Sequence, residues 1–405
     1  MRSAGLNRLQ RLCDAGLFDG FELSAAGQLF PSVRKTSRVL VLSVSAGAGH
    51  TRAAEALVAH AQSEFPRLSV QHTDMMSVVP RWFRAIYRDL YLSLSAGLPE
   101  VWGWLYRKTG ESASASLSER LRQRLQQLGA RQLFSEIENY RPDAIICTHF
   151  LPAELLAAER RAGRLDCPVW VQVTDFDLHR MWVHEGISGY FVGSEELAFR
   201  LRMQGVPDAQ IEISGIPVMP GFAATHARTQ AAAALGLDPG LATVLMMSGG
   251  AGAGLQKETI RMLLAQHRQL QLIVLAGRND ALRQSLQELV SLQPARLRVF
   301  GFTDDVHRMM ACADLAITKP GGLSTSECLA MGLPMLLVNP IPGQEERNAA
   351  YLMQEGAAVR ADDPLTLQFR LQRLLGDPTQ LARMRERALA LAKPLAAKKV
   401  LQKIA

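Results

Sequence analysis

The chain has 405 residues, and its 48% hydrophobic and 20% charged residues are typical of a globular protein with two domains. No apolar run approaches the roughly 18 residues that cross a bilayer, so we expect a cytoplasmic protein without a spanning helix. Five scattered cysteines without CxxC spacing argue against a disulfide framework and a zinc site. The formal net charge of +7 suits an anionic partner, either nucleic acid or acidic lipid.

The first 37 residues begin with an amphipathic segment in which Leu6, Leu9 and Leu12 stand among arginines. We expect a helix here that packs on the first domain, with a surface-anchoring helix as the alternative. The tract that follows, to Lys35, reads as a loop.

A strand, a glycine loop and a helix come next. Residues 39–44 predict a buried strand and residues 51–64 a helix, joined by a loop that ends at His50. Arg52 stands where the motif GxGxxG needs its third glycine, which disfavours a nicotinamide cofactor. Gly-Lys never occurs in the chain, so a Walker A loop is absent too.

Aromatic and basic residues concentrate in residues 75–108, which hold three of the five tryptophans. Rings with cationic neighbours suit a lipid headgroup boundary. A packed helix pair with a solvated basic face and a site for single-stranded nucleic acid are the alternatives. The residues that would contact lipid here are Trp82, Trp102, Trp104, Arg107 and Lys108.

Strand signals at residues 144–147, 169–173 and 190–192 alternate with helical stretches, which indicates a parallel, doubly wound sheet. Asp175 and Asp177 follow one strand as a nominal DxD motif, but two carboxylates are weak evidence for a metal ion. Trp182, slightly further on, is a candidate lipid contact.

A second domain repeats this pattern. A strand at residues 244–247 runs into a second glycine loop, and strands at residues 272–275 and 297–300 follow. Two such loops face each other when two doubly wound domains bind a ligand at their strand ends.

Residues 314–348 carry two strand signals and two polar turns. After the first strand, Lys319-Pro320-Gly321-Gly322 leads into a helix start, where free amides and the helix dipole attract phosphate. Ser324 and Glu327 also fit a capping box, in which both side chains would serve only the helix. After the strand at residues 335–338, the segment 339–348 carries amide and carboxylate groups that suit sugar hydroxyls.

The order of these motifs closely resembles the monogalactosyldiacylglycerol synthase and processive diacylglycerol glucosyltransferase family. This family is glycosyltransferase family 28, related to the lipid II-forming N-acetylglucosaminyltransferase. The resemblance rests on Pro-Gly-Gly at 320–322, Glu327, Pro-Gly-Gln-Glu at 342–345 and the aromatic run 102–106. It implies an α/β GT-B fold, with two doubly wound Rossmann-like domains that face a central cleft.

The resemblance also implies domain boundaries. Residues 1–37 would be an extension, 38–220 the acceptor and membrane-binding domain, and 221–385 the UDP-sugar-binding domain. Residues 386–405 would form a helix that packs back on the first domain.

By the same resemblance, Glu327 would hold the ribose, Gln344 and Glu345 the hexose, and main-chain groups of residues 301–303 the uracil. His50 is the predicted general base, or a phosphate ligand in the alternative, and Asp175 is the reserve base. The full predicted UDP-sugar site is Gly49, Gly249, Gly250, Gly252, Gly301, Phe302, Thr303, Lys319, Pro320, Gly321, Gly322, Leu323, Ser324, Glu327, Gln344, Glu345 and Asn348. No metal or other cofactor is expected.

The predicted activity is transfer of galactose or glucose from a UDP-sugar to diacylglycerol, with inversion at the anomeric carbon. The expected partners are UDP-hexose, diacylglycerol and anionic lipid, without nucleic acid, at the inner face of the plasma membrane. The alternatives are a transferase that acts on a polyprenyl-linked peptidoglycan precursor, a UDP-sugar epimerase, and a catalytically silent UDP-sugar sensor.

We predict that the protein binds vesicles with anionic lipid, and more weakly at high salt, because salt screens charge attraction but not burial of rings. Replacing Trp102, Trp104, Arg107 and Lys108 together should abolish sedimentation with the vesicles while UDP binding persists. A variant that lacks only the two tryptophans should keep the salt-sensitive part. Equal sedimentation of the wild type and the fourfold variant would remove this segment from membrane binding.

Overall fold

The computed structural model describes residues 37–45, 47–81, 84, 131–247 and 256–405, and the backbone of Phe21–Leu23 and Leu29–Pro31. Several predicted residues lie outside this part: Trp82, Trp102, Trp104, Arg107, Lys108, Gly249, Gly250 and Gly252. The segment predicted as a helix at the start of the chain lies outside it too. Within the loop-like tract, β1 (Phe21–Leu23) pairs antiparallel with β2 (Leu29–Pro31), so that prediction is wrong there.

The first domain is a six-stranded parallel sheet in the order β4–β3–β5–β6–β7–β8. Its apolar strands, such as Ala144–Cys147, are buried along their length because helices cover both faces. The strands are β3 (Ser37–Ser43), β4 (Leu68–Asp74), β5 (Ala144–Cys147), β6 (Val169–Gln172), β7 (Gly189–Val192) and β8 (Ile211–Ile213). The helices are α1 (Ala48–Glu64), α2 (Met75–Val78), α3 (Arg131–Tyr140), α4 (Phe150–Arg161) and α5 (Glu195–Met203).

The second domain repeats the architecture in the order β11–β10–β9–β12–β13–β14, again parallel throughout. Its strands are β9 (Ala242–Met247), β10 (Leu270–Leu275), β11 (Leu297–Phe300), β12 (Leu315–Thr318), β13 (Met335–Val338) and β14 (Ala358–Ala361). Its helices are α6 (Arg228–Ala234), α7 (Lys257–Gln266), α8 (Asp280–Ser285), α9 (Gln287–Leu292), α10 (Val306–Cys312), α11 (Gly322–Ala330), α12 (Gln344–Gln354), α13 (Pro364–Leu375) and α14 (Pro378–Leu391).

The last described helix, α15 (Ala396–Ile404), returns to the first domain. Val400 and Leu401 are fully buried against the β3 side chains Val39 and Val41 and against Leu57 of α1. Exposed ion pairs flank the contact, including that of Lys398 with Glu64 at 2.6 Å. The first domain therefore takes part of its core from the far end of the described chain.

The predicted α/β class and the two doubly wound domains are confirmed, while some element limits differ. The helix predicted from residue 51 begins at Ala48, so His50 lies in the first helical turn rather than in the loop before it. Strand β4 was not predicted, because its sequence LSVQHTD has only two apolar residues and lacks a continuous apolar run.

The strand order of each sheet determines where its candidate functional segments lie. In a doubly wound sheet, ligands bind at the carboxyl ends of the strands where the strand order reverses. That point lies between β3 and β5 in the first domain and between β9 and β12 in the second. His50 follows β3, and the glycines of residues 321–322 follow β12, so both lie at a switch point.

Within the described residues, no helix is both long enough and apolar enough to cross a membrane.

Candidate active site

His50 has a fixed tautomer. Its Nδ1 atom is 2.8 Å from the main-chain oxygen of Thr148 and 2.9 Å from Thr174 Oγ1. Because a carbonyl oxygen can only accept, Nδ1 carries the hydrogen and Nε2 presents a lone pair. No residue in the part of the chain that the structure describes hydrogen-bonds Nε2. The imidazole is therefore a positioned proton acceptor.

Apolar and aromatic packing keeps this imidazole uncharged. Burial lowers the pKa of His50 to about 4, against a smaller opposing effect of the Thr148 hydrogen bond. The ring of His149 meets it edge-on at 4.6 Å between centroids, and Trp182 lies 6.3 Å away. At neutral pH His50 is thus neutral and able to accept a proton.

Trp182 is only 3% exposed and packs edge-on against Phe150. A membrane contact at the protein surface is therefore wrong for this tryptophan, because its ring belongs to the core beside His50. Lipid contact is suggested by the resemblance of its segment to the family's link between the sheet and the acceptor pocket, whereas the burial of the ring depends on neighbours that sequence does not show. Contact with an acceptor inside the cleft stays a prediction.

The segment Thr174–Asp177, which follows β6, docks into the second domain. Asn348 of α12 accepts a hydrogen bond from the Phe176 amide at 2.8 Å and donates to Asp175 Oδ1 at 3.2 Å and to the Pro320 oxygen at 3.1 Å. Gln344 donates to the other oxygen of Asp175. Both oxygens of the Asp175 carboxylate thus accept from amides of the opposite domain.

These contacts bear on the predicted sugar site. Asn348 is 0% exposed, and both the oxygen and the nitrogen of its side-chain amide already bond other residues. It therefore positions the site rather than offering a free group to a ligand. Gln344 uses one amide hydrogen on Asp175, which leaves its other amide hydrogen and its oxygen for a hexose. Burial raises the pKa of Asp175 to about 7, although the bonds from Asn348 and Gln344 oppose the rise. Although the pKa of Asp175 is higher than that of His50, both its oxygens already accept from amides, so Nε2 of His50 is the less engaged proton acceptor.

Asp177 adds a charged contact to this interdomain segment. It is buried and lies 3.3 Å from Arg347 of α12 and 3.6 Å from Arg200 of α5. Between the two aspartates, Phe176 stacks on Tyr351 with centroids 5.0 Å apart. Among the residues described, no group of three His, Cys, Asp or Glu could hold a metal ion.

The amino terminus of α11 has no side-chain cap. The helix begins at Gly322 with Gly321 as its N-cap, and no side chain caps it. Gly322 must be glycine here, because any side chain would collide with the Thr174 oxygen of the other domain. The capping-box alternative for Ser324 and Glu327 is therefore wrong: the helix starts two residues before Ser324, and neither side chain caps it.

Glu327 is a half-buried carboxylate that accepts no hydrogen bond from any described residue. Burial raises its pKa to about 7, while the positive charge of Arg52 acts in the opposite direction. A carboxylate that has lost part of its water without gaining a protein donor is unfavourable to the folded protein. Ligand hydroxyls would supply the missing donors.

The turn after β13 uses its acidic residues differently. Glu345 accepts from the Ile341 amide at 2.7 Å, and Glu346 accepts from the Gly343 amide at 2.9 Å. Gly343 has φ of 91°, a left-handed conformation that favours glycine. Burial raises the pKa of Glu345, and Lys319 opposes this rise. One oxygen of Glu345 thus remains for a sugar, near Gly321.

The remaining predicted residues lie at the same edges of the sheets. Gly301, Phe302 and Thr303 follow β11, and the Phe302 ring is 50% exposed, with the Arg278 guanidinium 5.1 Å from its centroid. A side chain at Gly49 in α1 would lie 3.8 Å from Leu323 in α11, so the first turns of these helices abut across the cleft.

Sequence reasoning missed the two residues that orient His50. Thr148 and Thr174 lie directly after β5 and close after β6, at the carboxyl edge of the sheet. Their place after strand signals could have marked them, since strand ends at a switch point carry function. The residue type could not have marked them, because a single threonine forms no recognisable motif.

Comparison with known proteins adds independent evidence. The family model for monogalactosyldiacylglycerol (MGDG) synthase matches residues 50–218, and that for the glycosyltransferase family 28 C-terminal domain matches residues 243–400. A processive diacylglycerol beta-glucosyltransferase of Bacillus pumilus (strain SAFR-032) is 30% identical over 259 residues, which are 64% of this chain and 67% of that protein. The chain belongs to this glycosyltransferase family. The corresponding enzyme of Bacillus subtilis (strain 168) is 29% identical over 353 residues, 86% of this chain and 90% of its own.

Solved structures agree on the GT-B fold. MurG of Acinetobacter baumannii has a TM-score of 0.58 at 16% identity and covers 91% of this chain and 99% of its own. A UDP-GlcNAc 2-epimerase of Neisseria meningitidis bound to UDP-GlcNAc has the same TM-score at 14% identity, with 90% and 99% covered. At such identities the likeness concerns the fold alone. The family match, which extends through both domains, therefore outweighs the likeness to epimerases.

We predict that Glu327→Ala weakens UDP binding by about 1.5 to 3 kcal/mol, the usual cost of losing a hydrogen bond to a charged group. Calorimetry at pH 8 would measure it. Glu258→Ala, which removes an exposed carboxylate from α7 of the same domain, should leave the affinity unchanged. Unchanged affinity in a folded Glu327→Ala variant would exclude Glu327 from the site.

The same residue should make binding of UDP-glucose pH-dependent. Ribose hydroxyls donate best to the ionised carboxylate, and with a pKa of about 7 in the free protein Glu327 loses its charge as the pH falls. Affinity should therefore drop about tenfold from pH 8 to pH 6, one factor of ten per pH unit below the pKa. Glu327→Gln should abolish this dependence.

Proposed function

We propose that the protein transfers glucose or galactose from a UDP-sugar to diacylglycerol, with inversion at the anomeric carbon. The observation that carries the proposal is His50, a neutral imidazole whose Nε2 accepts no hydrogen bond from any described residue. It lies at the first-domain edge of a cleft whose second-domain edge carries an uncapped helix terminus and the Glu327 carboxylate. The relatives are named for the same reaction with glucose.

The reaction is a single displacement. The acceptor hydroxyl oxygen bonds to the anomeric carbon while the bond from that carbon to the diphosphate oxygen breaks, and its electron pair leaves with UDP. The hydroxyl proton passes to Nε2 of His50, while its Nδ1–H continues to donate to the Thr148 oxygen. Because the nucleophile enters opposite the leaving group, the configuration inverts. The α11 terminus stabilises the departing diphosphate.

The second-domain groups divide the donor between them. Glu327 binds the ribose, the main chain at residues 301–303 binds the uracil, and Gln344 and Glu345 bind the hexose. No metal takes part in this scheme. The aromatic and basic residues of the first domain hold the enzyme on anionic lipid at the inner face of the plasma membrane, where its acceptor lies.

The activity is tested by incubating the purified protein with diacylglycerol vesicles and, in turn, UDP-glucose, UDP-galactose and UDP-GlcNAc, all in EDTA. We expect a hexosyl-diacylglycerol of inverted configuration from UDP-glucose or UDP-galactose, identified by mass and by the anomeric coupling constant. Glycosylation of only a polyprenyl-linked acceptor, epimerisation of UDP-GlcNAc, or binding without turnover would each support one of the alternatives instead.

We predict that His50→Ala lowers kcat by about 10² to 10⁴, the range for general base catalysis, with UDP affinity nearly unchanged. His50→Asn is the matched variant, because its amide can still donate to the Thr148 oxygen but cannot accept the proton. Both variants should lose turnover equally in steady-state kinetics.

The opposite result would assign a different role to His50. If His50→Ala keeps near-normal turnover and loses UDP affinity, His50 is a phosphate ligand. Asp175 would then be the base, and Asp175→Asn should show the loss in kcat.

A further inference from the structure

Arg52 is a cation of the first domain that reaches the second domain. It lies two residues after His50 in α1, and its Nη2 atom is 3.1 Å from Asp304 in the loop after β11. Its Nη1 atom is 2.8 Å from Glu55 of its own helix. Its charge also lowers the pKa of Glu327. Arg52 therefore lies among carboxylates of both domains.

The ion pairs of Arg52 are easily exchanged. The side chain of Asp304 is 76% exposed and that of Glu55 is 40% exposed, whereas that of Arg52 is 22% exposed. Ion pairs with solvated carboxylates contribute little to stability. Each of these carboxylates has a single contact with Arg52, whereas a phosphate can accept two parallel hydrogen bonds from one guanidinium. An entering phosphate can thus take Arg52 from its present partners.

The position of Arg52 is the one that a diphosphate at α11 requires. The first turns of α1 and α11 abut through Gly49 and Leu323, and Glu327 lies on the second turn of α11. A diphosphate at the α11 terminus would therefore lie beside this contact, close to the start of α1, the helix that carries Arg52. The helix end supplies only about half a positive charge, so a group with two negative charges needs a further cation.

We propose that Arg52 binds the diphosphate of the nucleotide-sugar donor from the first domain, opposite the amino terminus of α11. This inference rests on the UDP-sugar function proposed above. It assigns a role to the arginine that occupies the place of the third glycine in GxGxxG. The donor would then bridge the two domains through its diphosphate, in place of the Asp304 ion pair.

The test compares UDP and uridine by calorimetry for the wild type, Arg52→Gln and Asp304→Asn. Arg52→Gln should weaken UDP binding by about 10- to 100-fold, the effect of losing a charge-assisted contact. Its affinity for uridine should stay near that of the wild type. Asp304→Asn, which frees the guanidinium, should bind UDP at least as tightly as the wild type does.

Three results would overturn the inference while the donor function stands. The first is equal UDP affinity of the wild type and Arg52→Gln. The second is an equal loss of affinity for UDP and for uridine in Arg52→Gln, which would mean that Arg52 acts through Glu327. The third is a loss of UDP affinity in Asp304→Asn as large as in Arg52→Gln, which would mean that the Arg52–Asp304 ion pair acts by joining the domains. If the wild type bound no UDP, the proposed function itself would fail. Should Arg52→Gln not fold, Arg52→Lys, which keeps the charge but not the fork, should weaken UDP binding and spare uridine.

Discussion

The arrangement of the site depends on the burial of Asn348 between the two domains. A buried amide that lacked partners would cost the folded protein several kcal/mol, on the order of 2 to 7. Its oxygen and nitrogen are satisfied by Phe176, Asp175 and Pro320, two of which belong to the opposite domain. These hydrogen bonds hold the segment after β6 against α12. The segment can pack this closely on the start of α11 because Gly322 has no side chain.

This constraint extends to the reacting group. Thr174 precedes the docked segment, and its hydroxyl contacts Nδ1 of His50. The same residue presents its main-chain oxygen to Gly322 at the start of α11. One threonine thus touches the proposed base on one side and the proposed phosphate site on the other. The distance between base and donor is set by packing between domains, not by either domain alone.

Much of this fold could be predicted from sequence, because apolar strands followed by glycine turns and helices have few topological solutions. The strands Ala144–Cys147, Leu297–Phe300 and Met335–Val338 have the predicted limits. Half-exposed or very short strands such as Leu68–Asp74 and Ile211–Ile213 lack the continuous apolar run on which the prediction relied.

The site was predictable where a residue follows a strand at a switch point, as His50 and Gly322 do. It was not predictable where a role depends on a partner distant in the chain. Asp175 and Asp177 match a metal-binding motif in sequence. In the structure Asn348 and Arg347, some 170 residues away, bond them across the domain interface. In the sequence Glu327 fits a helix cap, and only the observed start of α11 at Gly322 rules that role out.

The return of α15 to the first sheet bears on biosynthesis. Val39, Val41 and Leu57 leave the ribosome long before Val400 and Leu401, and the whole second domain is translated between them. Until α15 arrives, that face of the nascent first domain lacks its apolar cover. The first domain therefore cannot complete its core until the second domain has been translated.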